Sequence, residues 1–266
     1  MSKKHVGPRI LVIDIETSPI ESWTWGIWEQ NVGLEQIKTE WTILSFAAQW
    51  VGQKEVIYRD TGGHGPGQVR NDFHVVSQIR GLLDAADIVI AQNGKRFDVR
   101  KINARMAMHK MKPPSPYRVI DTLIECQKYF AFTSHKLAWT SKYLTNSPKS
   151  EHKQFPGFEL WKECLLDNPK AWAVMKRYNI RDIKATLKVY LQIRPWMTSH
   201  PNVTIYDDIA KAGCPNCGSH KVRSNGKRFT QHTSYIRYIC EKCGAWSRGK
   251  IMQTSLRTRR SKLTGI

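Results

Sequence analysis

Two acidic residues stand two positions apart in an apolar segment near the N-terminus. Asp14 and Glu16 end the run RILVIDIE, residues 9–16. Side chains alternate along a strand, so both carboxylates lie on one face. Hard divalent cations such as Mg²⁺ and Mn²⁺ prefer carboxylate oxygens, and a cation offsets the repulsion between two such groups. The pair is therefore a candidate metal site, with a solvated strand end as the alternative.

Two further acids lie on predicted helices. Asp98 follows a predicted turn between a strand and a helix, where a carboxylate also serves as a helix cap. Asp182 lies on a long predicted helix, with Tyr178 four residues earlier on the same helix face. Each of these features is common alone, so the argument depends on their combination and their order.

In this combination the sequence resembles the DEDD superfamily of 3′-to-5′ exonucleases, which have a ribonuclease H-like fold. The matching motifs are VIDIET at residues 12–17, NGKRFD at 93–98 and YNIRD at 178–182. The tyrosine spacing resembles the DEDDy branch, to which the proofreading domains of family A and family B DNA polymerases belong. The histidine branch would have His at position 177, where this chain has Arg177. The resemblance covers roughly residues 8–195.

The resemblance implies a catalytic site with two Mg²⁺ or Mn²⁺ ions. Such a pair, about 3.5 to 4 Å apart, activates water and neutralises charge on the attacking and leaving oxygens. Asp14 would bridge both ions, Glu16 and Asp182 would complete the site of the water-activating ion, and Asp98 would hold the second. Tyr178 would orient the attacking water by hydrogen bonding, since a phenol with a pKa of about 10 suits a donor.

The predicted substrate-binding residues lie within or beside these motifs. Lys95 and Arg96 precede Asp98 and Arg181 precedes Asp182, so their charge would draw phosphates towards the acids. Asn93 belongs to the same set, and by the resemblance Thr17 binds the terminal nucleotide through its backbone. Solvated helix faces are the alternative. The wider basic cluster contains Arg100, Lys101, Arg105, Lys176, Arg177 and Lys184.

Four cysteines near the C-terminus form a C-x2-C, x22, C-x2-C array. They are Cys214, Cys217, Cys240 and Cys243. The array predicts one structural Zn²⁺ ion with tetrahedral thiolate ligands, whereas disulfides are disfavoured in a cytosolic protein. The module resembles a zinc ribbon, with a predicted turn at Asn225-Gly226 and a strand over residues 235–240.

The net charge points to a polyanionic partner. The chain has 42 Lys and Arg against 22 Asp and Glu, a net charge of +20. Residues 1–199 contribute +10 and residues 200–266 another +10, so the ribbon region has about threefold higher charge density. This favours nucleic-acid binding by the ribbon, with protein contacts as the alternative.

Periodicity indicates an α/β protein. The resemblances imply a ribonuclease H-like mixed sheet with flanking helices, plus a small C-terminal zinc ribbon. Predicted strands cover residues 9–16, 42–51, 54–60, 88–91 and 118–123, and predicted helices cover 75–86, 97–109, 136–144 and 170–193. The predicted domains are the exonuclease domain at 1–199, a linker at 200–212, the ribbon at 213–250 and a basic tail at 251–266.

The region after the first motif is rich in tryptophan. We expect core packing for most of these residues, with Trp25 and Trp28 as candidates for stacking on unpaired bases. The tryptophans are Trp23, Trp25, Trp28, Trp41 and Trp50.

The sequence therefore predicts a two-metal 3′-to-5′ exonuclease acting on DNA, on single strands or frayed 3′ ends. No polymerase domain fits in the remaining residues, so a separate exonuclease subunit with a replication or recombination partner is one setting. An exoribonuclease and a nucleic-acid-binding adaptor with a dormant nuclease fold are the alternatives. No apolar stretch reaches 18 residues and no signal peptide is evident, so we expect no membrane partner and a cytoplasmic location, the host cytoplasm for a phage protein.

Overall fold

The computed structural model describes residues 7–145, 154–206 and 211–263. The chain divides into two compact units, of which the larger is Arg9–Tyr190 and the smaller lies in the segment from Leu191 onward. Residues 207–210 of the predicted linker and the last three residues of the predicted tail lie outside the described residues. Among the described residues, no helix is long and apolar enough to cross a membrane.

A five-stranded mixed sheet forms the centre of the larger unit. Its strand order is β5-β4-β1-β6-β7. β1 pairs antiparallel with β4 and parallel with β6, and β6 pairs parallel with β7. The strands are β1 Ile10–Thr17, β4 Ile43–Trp50, β5 Ile57–Asp60, β6 Ile88–Ala91 and β7 Arg118–Asp121, and a separate hairpin contains β2 Glu21–Ser22 and β3 Ile37–Thr39.

Helices cover both faces of this sheet. The helices of the larger unit are α1 Phe73–Asp84, α2 Asp98–Met108, α3 Thr122–Tyr129, α4 Leu137–Thr145, α5 Glu159–Leu165 and α6 Pro169–Ile193. One apolar core joins β1, β4 and β6 to α1 and α2, and includes Ile13, Ile15 and Ile79. A second core joins β4 to α5 and α6, and includes Leu44 and Met175. The predicted α/β class is confirmed.

The smaller unit contains a three-stranded antiparallel sheet. Its strands are β8 Val222–Phe229, β9 Ser234–Cys240 and β10 Trp246–Met252, in the order β10-β9-β8, and a short helix α7 Leu256–Arg260 follows. The Asn216 side chain donates to the carbonyls of Arg194 and Met197 at 2.8 and 3.0 Å. Residues that precede the cysteine module therefore form hydrogen bonds with its first turn.

Two local expectations were wrong. The turn predicted at Asn225-Gly226 is a bulge inside β8, where Gly226 has a φ of +71°, and the turn between β8 and β9 lies instead at Thr230–Thr233. The strand predicted at residues 118–123 ends at Asp121, because that side chain caps α3 by accepting from the backbone of Leu123. Helix α5 and the β2–β3 hairpin had no prediction.

Candidate active site

Strand β1 places Asp14 and Glu16 at the centre of the sheet. It pairs with β6 only over residues 10–12, whereas its pairing with β4 continues past both acids. The alternating apolar residues Ile13 and Ile15 are buried in the core beneath α1 and α2. Asp14 and Glu16 therefore lie on the opposite face, and both are half-buried.

Asp98 lies against the backbone between these two acids. Its Oδ1 accepts a hydrogen bond from the Ile15 amide at 3.1 Å, at a position on β1 that has no pairing with β6. The side chain is buried, and desolvation raises the pKa of Asp98 from 3.8 to about 7. A divalent cation would favour the charged form of such a carboxyl in place of a proton.

The loop that leads to Asp98 is fixed by a second buried acid, Asp121. The backbone amides of Asn93 and Lys95 donate to Asp121 at 2.9 and 3.0 Å. Asn93 has a φ of +61°, and a side chain at Gly94 would collide with Ala91. The turn is therefore tightly constrained, and Asp121 is a positioning residue for the start of α2.

Helix α6 approaches the same face of β1 through Asn179. This fully buried side chain donates from Nδ2 to Asp14 Oδ2 at 3.1 Å and accepts from Ser45 Oγ at 2.6 Å. Ser45 is the cross-strand partner of Glu16. Asp182, also buried, follows Asn179 by three residues on the helix, so the two share one side of α6.

Asn179 and Ser45 had no role in the sequence interpretation. Asn179 lies inside the YNIRD motif. An amide side chain among the apolar positions of the predicted helix could have indicated a buried polar contact. Ser45 carried no comparable signal, because its contact with Asn179 spans 134 positions. Together they connect the neighbouring strands β4 and β1 to α6, the helix that carries Asp182.

Tyr178 lies at the edge of the core formed by α5 and α6. Its ring packs edge-on against Trp161, with 6.1 Å between centroids, and it is half-buried. Tyr178 precedes Asp182 by one helical turn, so the phenol and the carboxylate lie on the same side of α6. Packing against Trp161 restricts the Tyr178 ring. A side chain that orients a small molecule needs such a restricted position.

The residues predicted to bind substrate divide into exposed and partly buried groups. Lys95, Arg96 and Arg181 are exposed, whereas Thr17 and Asn93 are half-buried. In the wider basic cluster, Arg100, Lys176, Arg177 and Lys184 are also exposed.

Arg105 is a correction to the predicted phosphate-attracting cluster. It is buried and pairs with Asp72, with Nε and Nη2 each 2.7 Å from a carboxylate oxygen. Asp72 also accepts from the Ile43 amide at 2.9 Å and contacts His109. Arg105 therefore stabilises the larger unit, because a bidentate buried pair leaves its charge neutralised and inaccessible to phosphate.

We call the region after the first motif that carries Trp23, Trp25 and Trp28 the aromatic insert. Trp23 is exposed where we expected core packing, and the two stacking candidates Trp25 and Trp28 are exposed as well. Trp23, Trp25 and Trp28 are 67, 99 and 80% exposed, whereas Trp41 and Trp50 pack against the core of α1 and α2. The insert is too short to form a core of its own. Its base is anchored by Arg70, which donates hydrogen bonds to Ser18, Pro19, Glu21 and Glu40.

The four cysteines form the most compact candidate metal site. Within residues 7–145, 154–206 and 211–263, they are the one set of three or more His, Cys, Asp or Glu whose ligand atoms all lie within 4.8 Å of one another. The Sγ atoms of Cys214 and Cys243, and of Cys217 and Cys240, are 3.7 Å apart. A tetrahedral ion with metal–sulfur bonds of about 2.3 Å gives an edge of about 3.8 Å, so the sulfurs fit such an ion.

The same distances exclude disulfides among these residues, since a disulfide bond is about 2.05 Å long. The hydrogen bond between the two side chains lowers the pKa of Cys217 and raises that of Cys214, so the pair favours one thiolate before a metal binds. Thiolates are the form that binds metal.

The four carboxylates come from three elements, β1, α2 and α6, whereas the four sulfurs form one compact set. Two hydrogen bonds nevertheless hold helices α2 and α6 against β1. Asp98 of α2 accepts from the Ile15 amide, and Asn179 of α6 donates to Asp14. Carboxylate oxygens are the donors preferred by Mg²⁺ and Mn²⁺, so the chemistry of the set fits hard divalent cations.

Comparisons with known proteins bear on the larger unit. A family model, RNase_H_2 of the RNase H superfamily, matches residues 11–194, a range that contains Asp14, Glu16, Asp98, Tyr178 and Asp182. Among solved structures, the chain is similar to the family B DNA polymerase from the hyperthermophilic archaeon Pyrobaculum calidifontis, with 13% identity and a TM-score of 0.49. That match covers 71% of this chain and 26% of the polymerase chain. No curated protein gives a significant match.

Proposed function

Since the chain belongs to the RNase H superfamily, we propose that it is a metal-dependent 3′-to-5′ exonuclease of the DEDDy type that hydrolyses DNA phosphodiester bonds. The observation that carries the proposal is the convergence of two distant chain segments on β1. Asp98 accepts from the Ile15 amide, and Asn179 donates to Asp14. Segments 83 and 165 positions apart thus meet beside two carboxylates.

In this proposal Asp14, Glu16, Asp98 and Asp182 hold two Mg²⁺ or Mn²⁺ ions. When bound, the ions lower the pKa of water and neutralise charge on the phosphate oxygens. The chain itself supplies the positioning: Asn179 orients the Asp14 carboxylate through its 3.1 Å hydrogen bond. Tyr178 orients the water for attack at the terminal phosphodiester, as a hydrogen-bond donor rather than a base.

Substrate binding in this proposal depends on charge around the acids. Lys95, Arg96 and Arg181 are exposed next to Asp98 and Asp182. Their charge offsets the repulsion between carboxylates and phosphates during approach. Thr17 ends β1, one residue beyond Glu16, where its backbone would meet the terminal nucleotide.

We assign Zn²⁺ to the four cysteines. The 3.7 Å sulfur separations and the all-cysteine donor set support this assignment, since carboxylate-preferring ions bind sulfur poorly. Zinc would stabilise a unit with a small apolar core, which comprises Cys214, Cys240 and Ala245.

The experiment that tests the function uses 5′-labelled single-stranded DNA, duplex DNA and RNA with Mg²⁺. The proposal expects a ladder that shortens stepwise from the 3′ end of DNA. Glu16→Gln removes one ligand charge and should abolish cleavage, whereas Glu55→Gln, in an exposed loop between β4 and β5, should retain it. A ladder on RNA alone would favour the exoribonuclease, and strand binding without cleavage would favour the dormant adaptor.

A further inference from the structure

One face of the β8–β10 sheet carries arginines next to aromatic rings. The strand register places Arg223 and Trp246 on either side of Ile239 in one row across the sheet. Residues directly opposite one another share a face, as do residues two apart on a strand. We call this surface the arginine face. Its members are Arg223, Arg228, Tyr235, Arg237, Ile239, Trp246 and Arg248.

All four arginines of the three strands lie on this one face. Arg237 pairs with Arg248 across β9 and β10, and Arg228 pairs with Tyr235 across β8 and β9. The opposite face contains a different set of residues. It carries Val222, Lys227, Ile236, Tyr238 and Cys240. The segregation of the arginines gives the sheet one strongly cationic side.

Two of the arginines stack on the aromatic rings. The guanidinium carbon of Arg237 lies 4.6 Å from the centroid of Trp246, and that of Arg248 lies 4.0 Å from the centroid of Tyr235. Arg237 Nε also donates to the Asn225 carbonyl at 2.8 Å. These contacts fix the guanidinium groups before any ligand binds, which reduces the entropy cost of binding phosphate.

The arginine face has little acidic charge near it. Residues 211–263 contain thirteen Lys and Arg and one acid, Glu241. Glu241 lies 3.8 Å from Arg223, and both side chains are exposed, so solvent screens the pair. The positive charge of the face is therefore available to a polyanion.

Trp246 distinguishes between two forms of polyanion. It is 50% exposed, so part of a large ring is open to solvent on a surface that otherwise carries charge. Unpaired bases stack on exposed rings, whereas a duplex hides its base faces and presents phosphates alone. A surface evolved only for duplex phosphates would not need the ring.

We propose that the arginine face binds an unpaired segment of nucleic-acid strand. Its bases stack on Trp246 and Tyr235, and its phosphates pair with the surrounding arginines. The proposal deepens the exonuclease function and rests on it for the class of substrate. It gives the ribbon a preference for single strands, in addition to the salt-dependent attraction that any basic surface provides.

Binding of a 5′-fluorescein dT20 strand and of a blunt dT20·dA20 duplex tests this with the full chain. Fluorescence anisotropy is measured without Mg²⁺, so that cleavage does not shorten the probe. Trp246→Leu should weaken dT20 binding roughly 5- to 150-fold, the range for loss of one stacked base, and duplex binding less than about 2-fold. Trp246→Phe keeps a ring and should stay within about 3-fold of the parent chain.

A charge-matched pair separates the face from general basicity. Arg248→Gln and Lys242→Gln each remove one positive charge, but Lys242 lies in the second cysteine turn and outside the arginine face. Arg248→Gln should weaken dT20 binding at least about 3-fold more than Lys242→Gln, because it removes a stacked contact as well as a charge. Zinc content, measured for every variant, shows that the cysteine site is intact.

Unchanged dT20 affinity in Trp246→Leu, or equal effects of the two charge variants, would overturn the proposal. If Trp246→Leu loses zinc, the Trp246→Phe and Arg248→Gln results decide. A chain that binds dT20 through this face but cleaves no nucleic acid with Mg²⁺ would refute the exonuclease function and leave this inference standing. A chain that cleaves DNA but whose strand binding is unaffected by these variants would support the exonuclease function and refute this inference.

Discussion

Asn179 joins the helix that carries Asp182 to the strand that carries Asp14. Its side-chain amide is fully buried. The nitrogen donates to Asp14, and the oxygen accepts from Ser45. A carboxylate that accepts such a bond has one oxygen oriented before it meets a cation. The geometry of the proposed metal site therefore depends on a residue that is not a metal ligand.

Asn179→Ala should raise the Mg²⁺ concentration for half-maximal cleavage and lower the free energy of unfolding by about 1 to 3 kcal/mol, since it leaves the Ser45 hydroxyl buried without this acceptor. Ser45→Ala, which removes the hydroxyl and keeps the bond to Asp14, should have a smaller effect on the Mg²⁺ requirement. Cleavage rates across a Mg²⁺ titration and denaturant unfolding measure both. An unchanged Mg²⁺ requirement in Asn179→Ala would contradict the positioning role.

Tyr178→Phe tests the other residue of the motif. Loss of one positioned hydroxyl should slow turnover roughly 10- to 1,000-fold, while the apparent Mg²⁺ affinity is retained. Tyr143→Phe, on the exposed side of α4, is the matched control and should leave the rate unchanged. Single-turnover cleavage at saturating Mg²⁺ is the measurement, and a full rate in Tyr178→Phe would remove the phenol from the mechanism.

At the scale of elements, the tight turn before α2 determines where Asp98 lies. Asp121 ends β7 beside Ala91, the last residue of β6, and its carboxylate accepts from the amides of Asn93 and Lys95. The same carboxylate caps α3 through Leu123. One side chain thus connects two strand ends and the start of a helix.

Asp121→Asn replaces one accepting oxygen with a donor that faces backbone N–H groups. The free energy of unfolding should fall by about 1 to 3 kcal/mol, and the cleavage rate should fall with it because Asp98 loses its support. Asp84→Asn, where the acid accepts from an exposed Ser115 amide, is the control and should cost less than about 1 kcal/mol. Equal effects of the two substitutions would show that Asp121 has no special positioning role.

Most strands of the central sheet and its longer helices followed from local sequence, whereas contacts between distant residues did not. Strand β6 was predicted with its observed bounds, since an apolar run between turn residues is a local signal. The helix after Asp121 was missed because the β-branched residues before it favour a strand and its cap depends on that one side chain. The bond between Asn179 and Asp14 spans 165 positions, and no local pattern encodes it.

At the scale of the whole molecule, the two proposed metal sites differ in chemistry and belong to separate units. The carboxylates belong to Arg9–Tyr190, and the cysteines belong to the segment from Leu191 onward. Hard oxygen donors and soft thiolates select different ions, so each metal can be removed without the other.

Cys217→Ser should lose zinc and the amide-exchange protection of β8–β10, because zinc bound to such sites contributes about 10 to 16 kcal/mol in peptides. Protection of β1 and β6 should remain. Cys126 is a buried thiol outside the array, so the Cys126→Ser variant should retain the zinc bound by the four-cysteine array. Native mass spectrometry and hydrogen exchange measure these effects, and zinc retained by Cys217→Ser would contradict the four-thiolate assignment.

The central claim is that the acids from three distant segments form one metal-dependent site. It is tested most directly by digestion of a 5′-labelled single strand with Mg²⁺, comparing the parent chain with Asp98→Asn, whose carboxyl lies against Ile15. The account predicts a ladder that shortens stepwise from the 3′ end and disappears with the substitution, while strand binding persists. An unchanged ladder in Asp98→Asn would contradict it.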